Sequence, residues 1–344
     1  MENSVIVIGG GIAGITAAGT MSGSGLKVTL IERNNKLGGH VSEWSRLFPD
    51  RRKASEVIDY LEAGLGDTKI ISGCSVNGII NNDHSFTVLT DTAGSITAEA
   101  LLIATGFDLF KAAIKEEYGY NIYNNVITSA ELEEMLSSGT GVLTADGRVP
   151  KRIGIIHCVG SRDEKVGNLY CSKVCCVTGV KQAIELKEMY PASEVYCFYM
   201  DLRMFDRHFE ELYYEAQQKW GISFIRGRLS ECAENADGSI VIKTEDTLTG
   251  KPLKMSVDLL ILLVGIVPSQ GTVRIAGMLG LKTGEDGFIN SVDAHTMDNS
   301  SGIPGVFLAG ALKGPATVNS VIADARAAAI QAIAWLGVKR ARND

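Results

Sequence analysis

A chain of 344 residues that is 45% hydrophobic and 21% charged has the balance of a soluble globular protein, with length enough for two domains. Its net charge of −7, with no basic block interleaved with aromatic residues, argues against nucleic acid as a partner. The longest apolar run, Leu259 to Val267, is only about half a membrane span, so no integral membrane segment is expected.

The chain opens "MENSVIVIGGGIAGITAAG", which lacks the basic start and small-residue cleavage site of a signal peptide and reads instead as strand and helix. A cytoplasmic location follows as the expectation. There thiols stay reduced, and a cysteine cluster more often binds metal or works catalytically. An apolar strand, Val5 to Ile8, leads into Gly9, Gly11 and Gly14 in the pattern G-x-G-x-x-G. A helical pattern follows, then a second strand, Lys27 to Ile31, ending at Glu32 and Arg33. Gly9 makes the tight turn, Gly11 lets backbone approach a pyrophosphate, and Gly14 lets helix pack on strand. The helix N-terminus offers free N–H groups to the phosphates, and Glu32 can accept from an adenosine ribose. Strand, glycine motif, helix, strand and acid in this order point to dinucleotide binding.

Three further pieces choose the dinucleotide: Gly38-Gly39 in "LGGH", Ala104-Thr105-Gly106 in "LLIATGF", and Gly310-Ala311 ahead of a helix starting near Thr317 and Val318. Together they resemble the two-dinucleotide-domain flavoproteins, the thioredoxin-reductase-like and glutathione-reductase-like families. The resemblance implies FAD. The paired glycines would approach its phosphates, the Ala-Thr-Gly turn would close the FAD half, and the late strand–Gly–helix unit would meet the flavin end. One position departs from the pattern: Ala311 stands where these families have an aspartate on the ribityl chain.

The resemblance also implies a second Rossmann-like domain inserted into the first. The expected α/β architecture is an FAD-binding domain from residues 1–112 and 258–344, interrupted by an inserted domain at 113–257. A good strand, Ile153 to Ile156, begins the insert's unit, but no glycine-rich turn follows it. The strand runs into Cys158, a polar loop, then Cys171, Cys175 and Cys176, and only then a helix beginning "VTGVKQAIELKEMY". These cysteines stand where an α/β sheet holds its ligand, so the NAD(P)H site looks replaced. The spacing is C-x12-C-x3-C-C. Zinc favours closer pairs at both ends, a redox thiol pair favours C-x-x-C, and four thiols on a loop and a helix start suit a [4Fe–4S] cluster. Buried structural thiols are the fourth reading.

The run "CVGSRDE…YCSKVCCVTGVKQA" resembles the flavin-containing A subunit of heterodisulfide reductases. So do Glu117 to Leu136 and the run beginning "YMDLR" at Tyr199. In that family the cysteines matching Cys158, Cys171, Cys175 and Cys176 ligate a [4Fe–4S] cluster close to FAD. Relatives from methanogens carry extra ferredoxin-type modules and further cluster cysteines after the region matching "LFPD"; here that region has no cysteine until Cys74. The chain resembles the shorter A subunits of sulfur-oxidising bacteria, which implies a homodimer working with B and C subunits.

The remaining signals are plainer. Cys74 and Cys197 sit among apolar residues and read as core thiols, and Cys232 has no partner in view. His157 reads as strand packing beside a ligand, while Arg162 and Lys173 are loop charges that would raise a cluster's potential. Arg203 belongs to the family-like run without a derivable role. The expected function is electron transfer through FAD and one cluster. The rivals are an NAD(P)H-dependent disulfide oxidoreductase using the cysteines as redox thiols and a zinc-bearing scaffold.

Overall fold

A computed structural model describes residues 3–343. The chain divides into two compact units. One holds the described residues up to Ser42, Ala54–Asp108 and those from Val267 onward; the other holds Glu43–Lys53 and Leu109–Ile266. Each is built on a five-stranded sheet. In chain order the sheet strands are β1 (Ser4–Ile8), β2 (Lys27–Ile31), β3 (Lys69–Ile71), β4 (Ala100–Ile103), β5 (Val126–Thr128), β6 (Arg152–Val159), β7 (Glu194–Tyr199), β8 (Ser223–Arg226), β9 (Leu259–Val264) and β10 (Val306–Leu308). The helices that matter for the sites are α1 (Ile12–Gly23), α2 (Cys175–Met189) and α3 (Val318–Asn343).

The first sheet runs β10-β4-β1-β2-β3 and the second β8-β7-β6-β9-β5, with every pair parallel. In each, the order reverses beside the strand that carries the motif, β1 or β6. The carboxyl end of a sheet at such a switch point is where ligands bind. The sequences obey the rule for parallel sheets covered on both faces: Val5–Ile8 and all of β9 are buried. In the second unit Ile153 and Ile155 pack with Val180 and Ile184 of α2 and with Leu259 and Ile261 of β9. Each unit also carries a three-stranded antiparallel sheet, Val76–Ala98 in the first and Leu229–Val257 in the second.

The boundaries differ from those expected. Leu259–Val264, expected to open the last part of the FAD domain, lies between β6 and β5, with Leu259 beside Ile153 and Leu260 beside Val126. A strand buried at all six positions needs neighbours on both edges and cover on both faces, and the second sheet supplies them. The insertion therefore runs over 109–266 rather than 113–257, and 43–53 join it. That short segment is tied down by polar contacts. Ser45 N donates to Glu133 Oε2 at 3.0 Å, Lys181 Nζ donates to Arg46 O at 3.0 Å, and Arg51 pairs with Glu215 at 3.1 Å and Glu188 at 3.3 Å. Among the described residues no helix is long and apolar enough to cross a membrane.

Candidate functional site

In the first unit the glycine turn follows β1. Gly9 takes φ +108°, and a Cβ there would run into the Ala104 carbonyl; one on Gly14 would run into the carbonyl of Gly9. Those two glycines are packing requirements. Gly11 is different, because a Cβ on it would meet nothing within 4 Å. It is the N-cap of α1 and makes no side-chain cap hydrogen bond, so open space lies over an uncapped helix N-terminus. This is a cradle of the kind a pyrophosphate fills. Gly38 and Gly39 lie against the same turn: Gly38 N donates to Gly10 O at 2.8 Å, and a Cβ on Gly39 would come within 3.2 Å of Gly11 Cα.

Glu32 is buried, and its carboxylate accepts from Gly10 N at 2.6 Å and Asn34 N at 2.8 Å. It braces the turn, and its remaining lone pairs are free to accept from a ribose hydroxyl. Arg33 is exposed and pairs with Asp108 at 3.7 Å, which puts it at the rim. The Ala104-Thr105-Gly106 turn is fastened at both ends. Ala104 N donates to Ile8 O at 2.8 Å, Ser269 Oγ to Thr105 O at 3.0 Å, and Thr272 Oγ1 to Gly106 O at 3.1 Å. Thr317 Oγ1 accepts from Ser320 N at 3.3 Å, and Val318 begins α3, as the sequence suggested.

Sequence reasoning missed two residues here. Gly310, at φ +84°, donates its N–H to Asp324 Oδ2 at 2.6 Å; the same carboxylate accepts from Lys313 Nζ and Asn299 Nδ2, both at 2.7 Å. Ala311 brings no carboxylate to this turn, and one arrives from α3 instead. His40 stacks on Phe107 with ring centroids 4.7 Å apart and places Nε2 3.0 Å from Phe107 O, just past the Ala-Thr-Gly turn. No motif marks Asp324, which lies in the second turn of α3 and meets Gly310 only through the fold.

In the second unit no glycine-rich turn follows β6, and the cysteines converge at the carboxyl end of that strand. Strand pairing shifts register between Ile156 and Val159, and Cys158 takes φ +62°. Arg162 and Lys173 are also left-handed, so among the described residues three of the six non-glycine positions with positive φ lie between Cys158 and Cys176. Strain of this kind persists where the surroundings over-determine the backbone, and it concentrates at functional loops. The loop is laced independently of any ligand. Ser161 Oγ and Ser172 Oγ share a hydrogen bond, Ser172 Oγ accepts from Ile266 N at 2.8 Å, Asn168 Nδ2 donates to Gly160 O at 2.9 Å, and Tyr170 OH donates to Ile266 O at 3.0 Å. A Cβ on Gly265 would run into Ser161 Oγ.

All four thiols are free; Cys158, Cys175 and Cys176 are buried and Cys171 is partly exposed. Cys175 and Cys176 occupy the first turn of α2, whose N-cap, Val174, offers no side-chain cap. Lys173 N donates to Cys171 Sγ at 3.3 Å. Burial first, and then the charges of Cys176 and Cys171, push the Cys158 thiol up to about 12. Cys175 is held well above the ordinary thiol range by burial and by Cys158, Cys176 and Cys171, and burial raises Cys176 too. The four sulfurs therefore sense one another. Among the described residues, however, no three His, Cys, Asp or Glu groups stand at metal-coordinating spacing. A redox thiol needs a depressed pKa, and those of Cys158, Cys175 and Cys176 are raised. Metal binding displaces thiol protons, so four cysteine donors suit a metal centre by their chemistry.

The residues around the loop are strongly charged. Arg162 Nη2 donates to Asp201 Oδ2 at 2.7 Å, and buried Lys115 and Asp163 pair at 2.8 Å, with Arg228 2.7 Å from the same Asp163 oxygen. His157 is buried with neither ring nitrogen hydrogen-bonded among the described residues; burial lowers it to about 3 and keeps it neutral. Cys74 and Cys197 are core thiols, while Cys232 is partly exposed.

A family profile described as pyridine nucleotide-disulphide oxidoreductase matches residues 3–156 and 175–332, and the gap between the matched segments holds Cys158 and Cys171. The A subunit of the H(2):CoB-CoM heterodisulfide,ferredoxin reductase of Methanothermobacter thermautotrophicus is 40% identical over 242 residues, covering 69% of this chain. The iron-sulfur A subunit of the CoB--CoM heterodisulfide reductase of Methanocaldococcus jannaschii is 31% identical over 417 residues, covering 96%. The chain spans 37% of the length of the first relative and 64% of the second. The crystal structure of T. acidophilum thioredoxin reductase superimposes with a TM-score of 0.67 at 20% identity, covering 96% of this chain and 98% of that one, a likeness of fold.

Proposed function

For a chain that belongs to the pyridine nucleotide-disulphide oxidoreductase family and has heterodisulfide reductase A subunits among its relatives, we propose the role of an electron-transfer subunit that binds FAD and one [4Fe–4S] cluster. The observation that carries this reading is the loop from Cys158 to Cys176: four free thiols follow the strand where a pyridine-nucleotide turn belongs, two of them, Cys158 and Cys171, in the stretch that the family match skips. The name of the Methanocaldococcus relative, which calls it an iron-sulfur protein, supports the reading.

Bound FAD supplies a centre that takes electrons in pairs, and a cluster supplies one that passes them singly. The chain's own part is positional. Gly11, Gly38, Gly39 and the α1 N-terminus receive the pyrophosphate, and Glu32 holds the turn and faces the ribose. Ala104-Thr105-Gly106, Gly310 and the α3 start at Thr317 and Val318 shape the flavin end, with Asp324 fixing Gly310. Cys158, Cys171, Cys175 and Cys176 hold the metal centre, and the laced loop fixes their backbone before metal arrives. The wider setting in this proposal is a heterodisulfide-reductase-like complex with B and C type subunits, oxidising sulfur compounds in the cytoplasm.

The rival is an NAD(P)H-dependent disulfide oxidoreductase. Anaerobic titration of the flavin spectrum with NADH and NADPH separates the two. The proposal expects neither nucleotide to bleach the flavin, whereas dithionite does; stoichiometric bleaching by either would bring the rival forward.

A further inference from the structure

Three neighbouring strand ends of the second unit meet beside the cysteines. β6 runs into Cys158 and, past its end, Arg162; β7 runs into Met200 and Asp201; β8 ends at Arg226. The Asp201 main-chain oxygen accepts from Cys176 Sγ at 3.4 Å. Its carboxylate accepts from Arg162 Nη2 at 2.7 Å and lies 3.7 Å from Arg226 Nη2, while Arg226 Nε donates to Met200 O at 3.1 Å. Arg162 is held from its backbone as well: it takes φ +51°, and its N–H donates to Tyr170 O at 3.0 Å. One aspartate thus touches a cluster cysteine through its backbone and two arginines through its side chain.

We propose that Asp201 is a positioning residue that sets the reduction potential of the cysteine-held centre, by fixing Arg162 beside the sulfurs and offsetting the charge of Arg162 and Arg226. The proposal rests on the cluster reading above. Reduction adds a negative charge among the four sulfurs, and a bare guanidinium close by would stabilise the reduced form and raise the potential. Arg162 senses both Cys158 and Cys171, and Asp201 is the largest influence on Arg162. A carboxylate paired with that guanidinium offsets its charge and holds the potential down. Asparagine at 201 keeps the hydrogen-bond acceptor and removes only the charge.

The test is an equilibrium redox titration of anaerobically purified protein, followed by the paramagnetic resonance of the reduced centre, with iron per chain measured alongside. Asp201→Asn should shift the midpoint upward and Arg162→Gln downward, both at unchanged iron. Full iron with an unmoved midpoint in Asp201→Asn would overturn the inference and leave Asp201 a loop brace. Should Asp201→Asn lose iron, Arg162→Gln decides: a downward shift supports the inference and an unmoved midpoint overturns it. Wild-type protein without iron would overturn the cluster reading and this inference together, whereas iron with unmoved midpoints removes the inference alone.

Discussion

Gly11 and Gly14 lie on successive turns of one loop–helix junction, and their backbones are required for different reasons. A Cβ on Gly14 collides with the Gly9 carbonyl, whereas one on Gly11 projects into open space over the α1 N-terminus. Gly14→Ala should therefore destabilise the fold by about 1–3 kcal/mol, the ordinary cost of overpacking. Gly11→Val should fold with near-normal urea stability yet purify without flavin, because its side chain fills the phosphate cradle. Released flavin per chain and urea unfolding midpoints, measured on both variants, check the pair. Retained flavin in Gly11→Val would show that the open space is not the cofactor's. Both glycines were legible in the sequence because their spacing is a motif. Asp324 was not, since its bond to Gly310 joins residues that only packing brings together.

At the level of elements, α2 does two jobs. Its first turn presents Cys175 and Cys176, and two to three turns later it buries Lys181, Gln182 and Glu185 against the helix Ser129–Ser138. Lys181 Nζ lies 2.5 Å from Glu133 Oε1 and 3.1 Å from Glu185 Oε2, and Gln182 Nε2 donates to Glu133 Oε1 at 2.7 Å. Burial, with a smaller push from Glu133, raises Glu185 from 4.5 to about 7, while Lys181 opposes the shift. Between those values the folded chain holds a proton that the unfolded chain has released. This contribution to stability is therefore full below about pH 4.5, falls as pH rises, and levels off above about 7. Glu185→Gln should flatten that decline, seen as urea midpoints at about pH 5 and about pH 7 that differ less than in the wild type. An unchanged slope would place the proton elsewhere. This network was invisible in the sequence, where no motif marks Lys181, Gln182 and Glu185 as buried partners. The strand β9 was misplaced for a related reason: "LLILLV" announces a buried strand but not which of two parallel sheets it joins. Likewise nothing in the sequence assigns residues 43–53 to a unit, and only the contacts of Ser45, Arg46 and Arg51 with Glu133, Lys181 and Glu215 show that they belong to the second.

At the scale of the whole molecule, the two units follow one plan, a parallel sheet with a loop–helix junction at its switch point, and differ in what that junction holds. In the first it holds glycines and an uncapped helix N-terminus, suited to phosphate. In the second it holds four thiols; burial raises the pKa of Cys158, Cys175 and Cys176, which argues against a reactive thiol pair among them. The fold was readable because glycine spacing, strand runs and the acidic residue arrive in the order of a Rossmann-like unit. The spacing of the cysteines fits several chemistries, and their burial, mutual influence and laced loop became visible only in three dimensions. The measurement that tests the account most directly is iron and acid-labile sulfide per chain on anaerobically purified protein, with Cys175→Ala alongside. The account predicts about four of each per wild-type chain and their loss in the variant, with flavin retained in both. Flavin without iron in protected wild-type samples would contradict it.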